Sequence, residues 1–383
     1  MITAAGGGAS VKTVSDADMM KAFFLCLCAL VISGPSYADH LKELPPEKAL
    51  SFHKFRVAGL PSRYKQIPIA RAQTPFELTV AAETNPAVEE MLGASDLLSV
   101  MQYDQGVIVL DAVSAKIRKD DKLYSMSMSK SLIGYLVGHA VCENHIASLD
   151  DPVSRYIPET VQSIYRDAKV GDMISMAAGD QPIWSPEGYN AREYSALVIH
   201  GNPEKRQAIR DVLSSRPNVQ PANVGAFRYS NAITDIVARL LDIATPDGLG
   251  NFAQKHLAEA AGNRNDMFIL ADENGWPLAH AFLYATRDDF MRMAIKINND
   301  WQSEGCIGDF LRQQQARSIP TNRDGQTYAA FFWMKDANTP SPRIILNGHG
   351  GQRIILKPAE DTVVSYHAIR SNFDQTMLEA ALQ

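Results

Sequence analysis

Three short stretches of the chain put chemistry-bearing side chains at spacings that can build a reaction site. The first is Ser127-Met128-Ser129-Lys130. Residues at i and i+3 of a helix share a face, and a lysine stripped of water there can lose its proton and act as a base toward a hydroxyl. Ser-x-x-Lys also occurs at Ser51 and Ser62, but only Ser127 leads into an apolar run, Leu132-Ile133-Gly134-Tyr135-Leu136-Val137. A helix starting there offers free N–H groups and a positive dipole end to a developing oxyanion. The same cluster of Ser125, Ser127, Ser129 and Ser131 also has the composition of a plain helix cap, so nucleophile and cap both stand as readings.

The second stretch is Tyr229-Ser230-Asn231, just ahead of another helical pattern. A phenol held near cations can shuttle protons between serine, water and leaving group; the alternative is a core tyrosine followed by a capping pair. The third is His349-Gly350-Gly351-Gln352, at a strand junction. Two residues without side chains let a backbone approach a substrate closely, and the N–H of Gln352 can face that of Ser127 as an oxyanion pair. A glycine bulge beside a surface histidine is the other reading.

The elements that must position these groups follow from the patterning. Residues 39–95, punctuated by prolines, read as an extended wrap, and 97–112 as a hairpin around Asp104-Gln105-Gly106. A helix follows Ser127 and ends near Asn144-His145. Between about 146 and 300 the pattern is mainly helical, with helices at Glu204–Ser214, Asn231–Asp242, Gly250–Ala261 and Thr286–Asn298. Strands return at 328–334, 343–347, 352–357 and 362–367, and a last helix starts near Phe373. The expected class is α+β: an antiparallel sheet from the N- and C-terminal parts, flanked by helices, with a mainly helical inserted region. Residues 39–383 are expected to form one domain, the helical part being a subdomain.

Taken in order, Ser-x-x-Lys, Tyr-x-Asn and His-x-Gly resemble the signature of the penicillin-recognising serine hydrolase superfamily. The chain is most similar to its class C β-lactamase-like branch, which includes esterases and 6-aminohexanoate-dimer hydrolases. Residues 126–141, 146–159, 170–179, 282–293 and 348–356 carry the resemblance, which runs over most of the chain beyond residue 39. It implies a β-lactamase/transpeptidase-like fold and a cofactor-free acyl-enzyme mechanism with no metal. Ser127 would be the acylated nucleophile, Lys130 its proton acceptor or electrostatic partner, and Tyr229 the proton shuttle. Asn231, His349, Gly350 and Gly351 would line the substrate pocket, and the N–H groups of Ser127 and Gln352 would hold the oxyanion. Two departures bear on substrate. Ala177-Ala178 stand where relatives carry hydroxyl residues before Gly179, and the loop 180–189 follows no family pattern. Trp184 and Tyr189 in that loop either line the pocket or are ordinary surface or core aromatics.

The resemblance therefore implies a small-molecule amide or ester as substrate, with a linear amide or short ester favoured. The alternatives are β-lactamase or D-alanyl peptidase activity, or a catalytically silent module that binds a cell-wall peptide. An α/β-hydrolase with a Ser-His-Asp triad fits less well, because no Gly-x-Ser-x-Gly occurs and strands do not alternate with helices.

Bulk composition agrees. A net charge of −6 without a basic run argues against nucleic acid as a partner. Lys21, the apolar stretch Ala22–Ile32, the breaker Gly34-Pro35 and the small residues to Ala38 have the layout of a secretory signal. Residues 1–38 thus read as an upstream extension plus signal, with Met1, Met19 and Met20 as candidate starts. The protein is expected to be exported after cleavage near Ala38, with no membrane span left. Cys142 and Cys306 would remain, as a disulfide or as two buried thiols. The nine histidines are scattered, without zinc-ligand spacing.

Overall fold

The computed structural model describes Leu50, residues 64–180, Pro182, and residues 192–199, 207–215 and 219–382. Residues 1–38, expected above to be an upstream extension plus signal, and Trp184 and Tyr189 lie outside the described residues. The helices are α1 (Pro86–Ala94), α2 (Met128–Cys142), α3 (Val170–Ile174), α4 (Arg192–Val198), α5 (Ile209–Ser214), α6 (Asn231–Ala244), α7 (Gly248–Ala253), α8 (Arg287–Gln302), α9 (Cys306–Ala316) and α10 (Gln375–Ala381).

Both halves of the chain build one antiparallel sheet, as the patterning predicts. Strands β2 (Leu97–Asp104) and β3 (Val107–Val113) form the hairpin, whose turn residues Gln105 and Gly106 have φ of 43° and 97°. Positive φ at both turn positions matches the right-handed twist of the flanking strands. The C-terminal strands are β7 (Ile319–Pro320), β8 (Gln326–Ala329), β9 (Phe332–Lys335), β10 (Arg343–Gly348), β11 (Gln352–Lys357) and β12 (Thr362–Ala368). They complete the eight-stranded order β3-β2-β12-β11-β10-β9-β8-β7.

A second sheet was not foreseen. It has four strands in the order β1-β5-β6-β4, made of Lys65–Ile69, Met267–Ala271, Leu283–Thr286 and Lys122–Tyr124. Two of its strands fall inside the mainly helical stretch. Every residue of β5 and β6 is buried, so neither shows the alternation that marks a half-exposed strand. The wrap over 39–95 also needs correcting. Among its described residues it contains β1 and the helix α1, which starts on Pro86 and is capped by the Asn85 side chain accepting from Val88 N–H.

Helix α2 is buried around nearly its whole circumference, the mark of a central core helix. Its close neighbours explain its glycines. A Cβ on Gly134 would lie 1.8 Å from the Ala330 carbonyl oxygen, and one on Gly138 would lie 2.6 Å from the Phe310 ring of α9. The first contact also corrects the single strand expected over 328–334. The chain turns there, with φ of 47° at Ala330 and 62° at Phe331, and continues as β9. That turn is seated by Ser131 Oγ donating to the Phe331 carbonyl at 2.7 Å and by Phe331 N–H donating to the Ile174 carbonyl at 2.8 Å.

Cys142, the last residue of α2, is bonded to Cys306, the first of α9. The main core lies between the large sheet and α2, α6 and α8, while α1 and α10 close a smaller apolar layer on the opposite face. Among the described residues, no helix is long and apolar enough to cross a membrane.

Candidate active site

The four serines around the start of α2 do different jobs. Ser125 Oγ donates to the Ala281 carbonyl at 2.8 Å, Ser129 Oγ to the Ala279 carbonyl at 2.6 Å, and Ser131 Oγ to Phe331. All three are buried and fasten the helix start to neighbouring backbone. Ser127 is the exception. It is half-buried, occupies the N-cap position without making a side-chain cap bond, and faces Lys130, whose Nζ donates to Ser127 Oγ at 3.1 Å. The chain reaches Ser127 through Met126 at φ 47°, a left-handed conformation uncommon for a side chain of this size. Gly348 of β10 presses on this turn: a Cβ there would lie 2.8 Å from the Ser125 carbonyl oxygen. The end of β10, and with it the turn to β11, is thereby brought beside the Ser127 segment.

Lys130 is only 1% exposed. Its Nζ hydrogen-bonds both Ser127 Oγ and the His280 carbonyl, and lies 5.1 Å from the centroid of the Tyr229 ring. Burial pulls its pKa down to about 7, with the charge of Asp235 opposing that fall. At neutral pH a sizeable fraction of the amine is thus uncharged, able to keep donating to His280 while its lone pair accepts from Ser127 O–H.

Tyr229 is buried and lies in an aromatic cluster, its ring stacked on Trp333 at 5.8 Å and 30°. The next two residues are anchored. Ser230 Oγ donates to Asp180 Oδ2 at 2.6 Å, an oxygen that also accepts from Tyr165 Oη at 2.6 Å. Burial raises the Asp180 carboxyl above its usual range. Asn231 opens α6, and its Nδ2 donates to Ser195 Oγ at 2.8 Å. Lys130 therefore joins the Ser127 and Tyr229 stretches.

On the sheet side, His349 is exposed in the β10–β11 turn. Gly350 and Gly351 have φ of 77° and 90°. A Cβ on Gly351 would lie 2.9 Å from the Phe373 ring and 3.0 Å from Ala368 Cβ, so these glycines are required by the turn's own packing. The buried Gln352 side chain is tied to the backbone of Ala368 through both its amide ends. The Ala177-Ala178 departure has a packing cause. The two alanines are buried, and their segment lies against 222–228 through hydrogen bonds from Ala222 to Gly179, Gly225 to Ala177 and Arg228 to Met176. This places the small-residue segment against the approach to Tyr229.

Four buried polar residues at the site went unread in the sequence: Asp180, Ser195, Asp235 and His280. Asp235 sits in the apolar run Ile233-Thr234-Asp235-Ile236-Val237, four residues after Asn231 and so on its face. His280 interrupts Leu278-Ala279-His280-Ala281-Phe282. An ionisable side chain inside an apolar stretch is rarely buried without a partner, which is the signal that could have found both.

The Beta-lactamase family model matches residues 87–382, and the chain belongs to that family. It is a serine hydrolase of the β-lactamase/transpeptidase fold. Among characterised relatives, 6-aminohexanoate-dimer hydrolase of Paenarthrobacter ureafaciens is 23% identical over 318 residues, covering 78% of this chain and 79% of that one. Among solved structures, a putative 6-aminohexanoate-dimer hydrolase from Bacillus anthracis superposes with a TM-score of 0.69 at 14% identity, covering 86% of this chain and 91% of the other. A D-stereospecific amidohydrolase from a Streptomyces species gives 0.59 at 12% identity, with 78% and 98% covered.

Proposed function

We propose that the protein is an exported hydrolase of linear amides or short esters, working through an acyl-enzyme on Ser127. The observation that carries this reading is the water-excluded Lys130 amine, 3.1 Å from the one serine of the cluster not bonded to backbone carbonyls. As Ser127 Oγ bonds to the substrate carbonyl carbon, its proton passes to Lys130 Nζ. The N–H groups of Ser127 and Gln352 hold the oxyanion. Collapse breaks the bond to the leaving amine or alcohol, which takes a proton from Tyr229 or Lys130. Water then attacks the ester and releases Ser127. Asn231, His349, Gly350 and Gly351, with Trp184 and Tyr189 beyond the described residues, are the proposed pocket groups.

The amide preference is supported by the relationship to a 6-aminohexanoate-dimer hydrolase. Export is supported by the Cys142–Cys306 disulfide, because such bonds persist in oxidising compartments. Residues 39–383 are proposed to work as one hydrolase domain, with about 146–300 as its subdomain.

The test is a panel of p-nitrophenyl esters, aminohexanoate oligomers, D-amino-acid peptides and nitrocefin, run on wild type and Ser127→Ala. Turnover of the linear amide or ester that disappears in the variant is expected. Nitrocefin or D-peptide turnover alone would move the assignment to a β-lactamase or D-alanyl peptidase. Binding of a cell-wall peptide with no turnover would make it a silent module.

A further inference from the structure

Behind Lys130 lies a path of hydrogen bonds, centred on the buried residues Asp235, His280 and Ser195, that the acyl-enzyme scheme leaves unused. Asp235, one turn along α6 from Asn231, is fully buried. Its Oδ1 accepts from the His280 backbone N–H at 2.8 Å, and its Oδ2 accepts from the Tyr194 hydroxyl and pairs with His280 Nδ1, both at 2.8 Å. A carboxylate facing Nδ1 makes that nitrogen the donor and turns Nε2 toward Ser195. Ser195 Oγ lies 3.4 Å from that Nε2 and accepts from Asn231 Nδ2. The path runs Asn231, Ser195, His280, Asp235, and back along α6 to Asn231. It touches the site twice: at Asn231 itself, and at the His280 carbonyl that holds Lys130.

We propose that the Asp235–His280 pair is a positioning device that locks Lys130 and Asn231 into one frame, so that the proton acceptor for Ser127 and the polar side of the pocket are set together. This rests on the hydrolase reading above and adds to it. The Asp235 carboxylate is directly faced by His280 and Tyr194, and its charge reaches Lys130. Tyr165 and Asp272 act on Tyr194 from farther out. A group that only filled space would not influence the pH at which Lys130 becomes a base. Asp235 does, because its negative charge favours the protonated amine.

The experiment compares full-length wild type, Asp235→Asn and Ser195→Ala. It records the rate at which a fluorophosphonate labels Ser127 as a function of pH, and kcat and KM for p-nitrophenyl butyrate where there is turnover. In Asp235→Asn the labelling limb is expected to move to lower pH by about one unit. The maximal rate should fall on the order of 10²-fold, because small misplacements of reacting groups cost that much. Ser195→Ala, which cuts the link between Asn231 and the His280 ring but leaves the Asp235 charge in place, is expected to raise KM several-fold with its limb where the wild type has it.

An Asp235→Asn limb that coincides with wild type, at undiminished rate, overturns the proposal. If Asp235→Asn does not fold by thermal melting, Ser195→Ala decides alone: a raised KM, or slower labelling, at an unmoved limb supports it, and unchanged values overturn it. Wild-type protein that forms the Ser127 adduct keeps the hydrolase reading whatever the variants do. Wild-type protein that forms none removes both.

Discussion

On the helical side of Ser127, Lys130, His280 and Asp235 are 1%, 2% and 0% exposed; the Lys130 amine donates to the His280 backbone carbonyl, and the His280 ring pairs with the Asp235 carboxylate. On the sheet side, His349 is exposed, and Gly350 and Gly351 hold a turn by their φ values, Gly351 against the Phe373 ring and Ala368. One side buries charge and polar groups and satisfies them through a network. The other is made of ring contacts and close backbone approaches. Burial is what lowers the lysine and turns a cation into a base at neutral pH. A buried charge without partners would be too costly to keep, so the network is the condition for that chemistry. The sheet side needs no such network, since its task is shape and the placement of N–H groups.

If the division is real, substitutions on the two sides should separate by orders of magnitude. Ser127→Ala should lower kcat/KM for its best ester or amide on the order of 10⁴-fold or more. Lys130→Met should fall about as far, and the double variant should lose little beyond either single one, because residues acting as a unit are not additive. A double variant showing the product of the two losses would mean that serine and lysine act separately. Tyr229→Phe should cost roughly 10²–10⁴-fold in kcat, the range for losing a proton-transfer group, with KM nearly unchanged.

His349→Ala should sharpen the contrast from the other side: less than about tenfold in kcat, the effect falling mainly on KM. A His349→Ala loss as large as that of Tyr229→Phe would bring the sheet side into the acid-base chemistry. The smallest effect on catalysis is expected at the disulfide. Cys142→Ser should lower stability by about 2–5 kcal/mol, read as an earlier denaturant midpoint, and leave kcat within about twofold at 25 °C. The bond ties the far end of α2 to α9, a helix away from Ser127.

The same division explains what the sequence disclosed. Ser127, Lys130, Tyr229 and Asn231 are adjacent in pairs within two helix starts, so local spacing exposes them. The large sheet was legible from the hairpin at 97–112 and from the run of four closely spaced C-terminal segments rich in β-branched and aromatic residues. The small sheet was not, because β5 and β6 are buried throughout and lack a period of two. The turn at Ala330-Phe331 was missed because it uses no glycine or asparagine. Its positive φ values are held by contacts from Ser131, Ile174 and the bare face of Gly134, far away in the chain. His280 and Asp235 escaped for a similar reason: 45 residues separate them, and only folding makes them a pair.

Activation of Ser127 by a lysine made basic through burial can be read in one pH profile. Wild-type protein is labelled with a fluorophosphonate across pH 5 to about 9, and the adduct is located by peptide mass spectrometry. A neutral Lys130 is needed to take the serine proton, so the rate should be low where the amine is charged. It should rise with pH through a midpoint at about 7 and then level off, with the adduct on Ser127. An adduct on another residue, or a Ser127 labelling rate indifferent to pH across that range, would contradict it.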